Sequence, residues 1–152
     1  MPAVISLERP DTPDAEALIA ELDAQLEQLY PAMSRHGYSV DKLLAQGVAF
    51  YVMRDEGTLV GCGGVQLFDD GYGEIKRMYV RPAYRGRGYA KQMLDHLADY
   101  TRRQGAPLLR LETGIHQHAA ISLYERAGFK SIPPFGEYRD DPLSRFYEMR
   151  IE

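Results

Sequence analysis

The 152-residue chain has little of what several large protein classes require. It carries one cysteine, Cys62, so it can close no internal disulfide and build no cysteine-rich zinc site. No stretch comes near the roughly 18 consecutive apolar residues that cross a bilayer, and Met1 to Pro10 lacks the basic start and apolar block of a secretion signal. These absences lead us to expect a soluble, cytoplasmic protein with no membrane partner. Surplus positive charge is missing too. With 18 Lys and Arg against 22 Asp and Glu, the formal net charge is −4. That balance argues against a nucleic-acid partner held by a broad basic face and mildly favours a cationic substrate. There is no internal repeat and no low-complexity linker. At 45% apolar composition the chain can enclose one core, so residues 1–152 are expected to form a single domain.

What is present is an orderly series of element signals. Val4 to Leu7 is a short apolar run suited to an edge strand. Asp11-Thr12-Pro13 supplies a cap and a proline for a first helical turn, and Leu18, Leu22, Leu26 and Leu29 repeat at helical spacing up to Pro31. Ser39 opens a second, short helix that Gly47 terminates, with Met33 to Tyr38 connecting the two. Ala49 to Arg54 and Thr58 to Phe68 read as a hairpin, and Cys62-Gly63-Gly64 marks a bulge or a close backbone approach within it. Tyr72 to Val80 adds a third antiparallel strand. Helical spacing returns from Gly88 to Gln104. Leu108 to Thr113 is a strand with Leu109 and Leu111 on one face, Ala119 to Ala127 is a helix ended by Gly128, and Phe146 to Ile151 is a last strand. This order predicts an α+β fold in three layers, helices covering both faces of a mixed sheet.

The chemistry concentrates after Val80. Arg85-Gly86-Arg87-Gly88-Tyr89-Ala90 lies at a helix start, where backbone N–H groups and the helix dipole stabilise an anion, and its glycines let the backbone close on a ligand. Lys76, Arg77, Arg81, Arg85, Arg87 and Lys91 crowd the same segment of an otherwise acidic chain, which points to an anion site. Two common phosphate loops do not fit. A nucleoside-triphosphate loop needs Lys and then Ser or Thr where Tyr89 and Ala90 stand, and a dinucleotide loop needs glycine where Lys91 stands.

Arg85, Gly88 and Ala90 match a (Gln/Arg)-x-x-Gly-x-(Gly/Ala) pattern preceded by Met78-Tyr79-Val80-Arg81-Pro82, and residues 120–129 read Ala-Ile-Ser-Leu-Tyr-Glu-Arg-Ala-Gly-Phe. In these two motifs, their order and their separation, the chain resembles the GNAT superfamily of N-acetyltransferases. The resemblance covers about residues 3–151. It implies a mixed, mostly antiparallel sheet of six to seven strands flanked by about four helices. It also implies transfer of an acetyl group from acetyl-CoA to a primary amine of a small molecule, peptide or protein, by direct attack in a ternary complex. Carried over by residue, the pyrophosphate falls on the backbone of Arg85, Gly86, Arg87, Gly88, Tyr89 and Ala90, while Met78, Tyr79 and Val80 meet the pantetheine arm and thioester. Gln117 stands where many members carry Asn, which puts the usual contact there in question. The segment from Ile132 to Ser144 is not general to the superfamily. Members often pair through helices or C-terminal strands, so a homodimer is an open expectation. A non-catalytic CoA-sensing module of the same fold is the alternative.

Acyl transfer to an amine needs a base for the ammonium proton and an acid for the departing thiolate. Tyr124 stands at the family's general-acid position, and a phenol keeps its proton at neutral pH; the alternative is a packed aromatic. Glu74, eleven residues before Arg85, is one candidate base, the alternative being a surface residue after a turn. Glu112 is the other candidate base, and Glu112 or Thr113 would meet the acceptor. His36 and Tyr38, between the first two helices, are substrate-site candidates alongside Glu74 and Thr113. His116 and His118 lack a nearby carboxylate ligand set and read as solvated, so no metal is expected. Cys62 reads as a small buried thiol.

Overall fold

The computed structural model describes residues 3–152. Its sheet has seven strands in the order β1-β2-β3-β4-β5-β7-β6. Strands β1 (Val4–Leu7), β2 (Ala49–Asp55), β3 (Thr58–Phe68) and β4 (Tyr72–Val80) pair antiparallel in succession. β4 runs parallel to β5 (Leu108–Gly114), which pairs antiparallel with β7 (Ser144–Arg150), and β6 (Lys130–Ile132) closes the far edge. Helices α1 (Pro13–Leu29) and α2 (Val40–Ala45) pack on one face, and α3 (Tyr89–Arg103) and α4 (His118–Ala127) on the other. The expected three-layer fold is therefore present. The short strand β6 was not anticipated, and the last strand begins at Ser144, two residues earlier than its apolar pattern suggested.

Local chemistry explains the boundaries. The Thr12 side chain accepts from Ala15 N at 3.2 Å and Pro13 fills the first helical turn, so α1 begins where its apolar stripe of Ala15, Leu18, Ile19 and Leu22 can be buried. Ser39 caps α2 in the same way through Lys42 N. These stripes pack on Phe50, Val52, Cys62 and Tyr79, while Met93, Leu94 and Leu97 of α3 cover the opposite face. Gly63 lies beneath α3, where an added Cβ would stand 3.0 Å from Met93 Cγ, so the glycine serves the close approach expected of it.

The bulge lies across from the position the glycines suggested. Cys62 faces Tyr79 and Gly64 faces Lys76, so two steps on β3 span three on β4, and Arg77 takes the extra step at φ 55°. The inserted residue inverts the alternation of β4. Ile75 points into the α3 and α4 core, whereas Tyr79, four residues on, points into the α1 core. A third cluster of Tyr72, Phe135 and Phe146, with Tyr138 beside it, binds the connection between β6 and β7 against the sheet.

Candidate active site

β4 and β5 pair only where Tyr72, Gly73 and Glu74 meet Leu108, Leu109 and Arg110. Past Glu74 the strands part, and the bend at Arg77 turns β4 away from its neighbour. Arg81 N donates to Val60 O on β3, so strand alternation turns the main-chain groups of Met78 and Val80 toward the split and those of Tyr79 toward β3. Tyr79 consequently leaves the expected set of cofactor contacts. It pairs with Cys62, and its hydroxyl reaches Glu21 Oε1 at 3.2 Å on α1. The Val80 carbonyl is also engaged, accepting from Arg85 Nε at 2.9 Å.

From Val80 the chain passes through a single 3-10 turn at Pro82–Tyr84 to the glycine loop. Gly86 and Gly88 sit at φ 79° and 85°, left-handed conformations that suit glycine. Gly88 caps α3 without a side-chain hydrogen bond, so the N–H groups of its first turn face outward to meet an anion. The surrounding cations contribute less than their number suggested. Lys76 pairs with Glu74, Arg77 with Asp23, Arg81 with Glu21 and Lys91 with Asp95. Arg85, bonded to Val80 and Gln25, and Arg87, stacked over the Tyr84 ring, remain beside the loop without an acidic partner among the described residues. What this segment offers an anion is the uncapped helix start rather than a pool of positive charge. An uncapped helix start beside an open strand edge fits the two ends of acetyl-CoA, its pyrophosphate and its amide-bearing arm.

At the mouth of the split lies a cavity of about 90 Å³, walled by β4, β5, the end of α1, the loop before α2, and Tyr124 of α4. Glu112 lines it and accepts from Ser144 Oγ at 2.7 Å. Burial holds the Glu112 carboxyl above the usual carboxylate range, partly opposed by the Ser144 hydroxyl and by the charges of His36 and Lys76. Tyr124 faces the same cavity and packs edge-on against Phe129; burial, and then the nearby Glu112 charge, push its phenol well up. Thr113 is buried at the end of β5, and Gln117 folds back to accept from Gly114 N at 3.0 Å.

Glu74 is only 3% exposed, which removes the surface reading. Its Oε2 accepts from Lys76 Nζ at 2.9 Å and from Tyr138 Oη at 2.5 Å, so it stands behind Lys76 and off the cavity wall. Lys76 Nζ in turn lies 3.9 Å from the centre of the Tyr38 ring. His36 Nε2 approaches Asp141 Oδ2 at 3.6 Å, within ion-pair reach but beyond hydrogen-bond length, and the His36 ring meets Tyr138 edge-on. Tyr30 stacks on His116 and accepts from its backbone N at 2.9 Å, tying the end of α1 to the loop after β5. The side chains of His116 and His118 are exposed.

Tyr30 and Arg35 line the cavity although the sequence singled out neither, and three further site residues were absent from the sequence reading. Tyr138, Asp141 and Ser144 all come from or border the connection between β6 and β7, and reach the site through the packing of Phe135 and Phe146. That segment has no periodicity; its Pro133-Pro134-Phe135-Gly136 run marks an ordered turn but not what the turn delivers.

A family model described as the acetyltransferase (GNAT) family matches residues 3–129. A protein of Azospirillum brasilense named IAA acetyltransferase is 43% identical over 150 residues, spanning 97% of this chain and 98% of that protein. A crystal structure of a Klebsiella pneumoniae protein superposes with a TM-score of 0.84 at 38% identity, over 99% of this chain and 98% of the other. The PaiA N-acetyltransferase of Thermoplasma acidophilum, solved in complex with coenzyme A, shares the fold at a TM-score of 0.76 and 20% identity, over 99% of both chains. Among the described residues, no helix is long and apolar enough to cross a membrane.

Proposed function

The chain belongs to the GNAT acetyltransferase family and is an acetyl-CoA-dependent N-acetyltransferase; from that premise we propose that its cavity seats the acceptor amine between Glu112 and Tyr124. Acetyl-CoA, when bound, supplies a thioester activated for attack by an amine. The backbone N–H groups from Gly86 to Ala90 would hold its pyrophosphate, and the main-chain groups of Met78 and the Val80 N–H would meet the arm along the free edge of β4. Glu112 takes a proton from the acceptor ammonium, a task helped by a carboxyl held above its usual range. Tyr124 keeps its proton through neutral pH and gives it to the departing thiolate. Glu74, engaged by both Lys76 and Tyr138, fixes Lys76 in the wall.

The observation that carries this reading is that Glu112 and Tyr124, from β5 and α4, open onto one cavity at the mouth of the split. We further take the protein to work in the cytoplasm, with residues 1–152 as one catalytic domain. The experiment is to follow free-thiol release from acetyl-CoA across a panel of amines. The Azospirillum brasilense relative is named for IAA, so IAA is tested separately beside that panel. Turnover with intersecting two-substrate kinetics is expected; tight acetyl-CoA binding with no turnover of any acceptor would favour the non-catalytic module.

A further inference from the structure

The acceptor end of the cavity is built from hydrogen-bond donors. Four buried side-chain polar atoms lack a protein partner among the described residues, and three of them belong to residues of this wall: Arg35 Nε, His36 Nε2 and Arg77 Nε. A guanidinium nitrogen donates and never accepts. Lys76 adds an ammonium to the same wall. The acids that balance these charges stand off it: the Glu27 and Asp23 side chains are 61% and 52% exposed, and Glu74 lies behind Lys76. Arg35 Nη1 is 3.5 Å from Glu27, and His36 Nε2 is 3.6 Å from Asp141, a largely buried acid beside the wall that holds the imidazole at ion-pair range. Glu112 is the one acidic residue on the wall among the described residues.

Donors left unpaired in a buried site are costly until an acceptor reaches them, and a negatively charged acceptor suits Arg and Lys best. We infer that the acceptor is a small amine that also bears a carboxylate, its amine turned to Glu112 and its carboxylate to Arg35, His36 and Lys76. The inference rests on the acetyl-transfer reading above. Glu112, His36 and Lys76 line the one cavity of about 90 Å³, which puts the two poles within the span of one small molecule. Tyr30, Tyr38 and Tyr138 stand on the wall around them and suit an apolar or aromatic body. A polyamine or an aminosugar drug would bring further ammonium groups to a wall that already carries Arg35, Lys76 and Arg77 and whose one acidic residue, among the described residues, is Glu112.

The test uses matched acceptors with the intact enzyme: amino acids, their methyl esters, the corresponding decarboxylated amines, and a polyamine, with rates corrected for amine ionisation. The free carboxylates should exceed their esters in kcat/KM by about tenfold to a hundredfold, the range expected for a charged hydrogen-bonded pair. In Arg35→Gln and His36→Asn that ratio should fall toward one, with calorimetric acetyl-CoA binding reporting that each variant is folded. Esters or polyamines used as well as the acids, or a ratio unchanged in both variants, would overturn the inference and leave acetyl transfer standing. No turnover of any amine would overturn both.

Discussion

Tyr138 donates a 2.5 Å hydrogen bond to Glu74, joining the connection before β7 to the middle strand of the sheet across 64 residues of sequence. The same carboxylate oxygen holds Lys76 Nζ at 2.9 Å. Burial, and then the Glu74 charge, drive the Tyr138 phenol far up, so it remains a donor at any working pH. One buried anion is thus compensated by one cation and one hydroxyl.

Removing the cation should expose the cost of that anion. Lys76→Met is expected to lower stability by about 3–5 kcal/mol, because Glu74 stays buried without its counter-charge. Glu74→Gln combined with Lys76→Met should recover most of the loss. Urea denaturation of the two variants checks this; a loss below about 1 kcal/mol in Lys76→Met, typical of an exposed pair, would mean the pair is not compensating a buried charge.

Glu112→Gln should lower kcat by about 10²- to 10⁴-fold and raise stability at neutral pH. The sign follows from its raised folded-state pKa: stability is fully present at low pH and is lost as the pH rises through that pKa, because the buried carboxyl must ionise. Glutamine has no such loss. The gain in Tm should therefore be clear at pH 7 and vanish as the pH falls below 4.5, the ordinary carboxylate value. The acid limb of the wild-type kcat/KM profile should likewise lie above 4.5.

Tyr124→Phe should lower kcat by about 10²-fold or more while leaving acetyl-CoA affinity nearly unchanged. Because burial pushes the phenol up, the wild-type pH profile should show no falling limb from this residue below about pH 10. Thiol-release kinetics across pH, beside calorimetry, test both parts. Full turnover in the variant would remove Tyr124 from the acid role.

Gly88→Glu should abolish acetyl-CoA binding, since it sets a carboxylate at the helix start proposed to receive the pyrophosphate. Gly88→Ala separates charge from backbone strain. Nothing lies within 4 Å of the added Cβ, but φ 85° should cost about 1–2 kcal/mol of stability. Unaltered binding in Gly88→Glu would move the anion site elsewhere.

Much of the frame was legible because it rests on local signals. Thr12 and Ser39 announced their helices, Gly128 ended α4 at φ 108°, and the glycine loop with the Tyr124 helix pointed to the ligand. What could not be read depended on non-local partners. Six cations looked like an anion site until α1 supplied Glu21 and Asp23 to two of them, and a strand neighbour and a helix neighbour took two more. The bulge was sought at glycines, yet Arg77 adopts the left-handed step, held by a buried bond to Ile19 O and an ion pair with Asp23. Tyr138 had no sequence signal, because nothing in a loop of prolines and acids says which strand it will cross.

The packing of Arg77 beneath Gly37 limits how the acceptor preference of this enzyme can be retuned. A Cβ at position 37 would fall on Arg77 Nη1, so any side chain there displaces the guanidinium that anchors the bend in β4. A library that varies Arg35, His36 and Tyr38 and keeps Gly37 is expected to shift acceptor preference with acetyl-CoA affinity unchanged, whereas variation at position 37 should lower both.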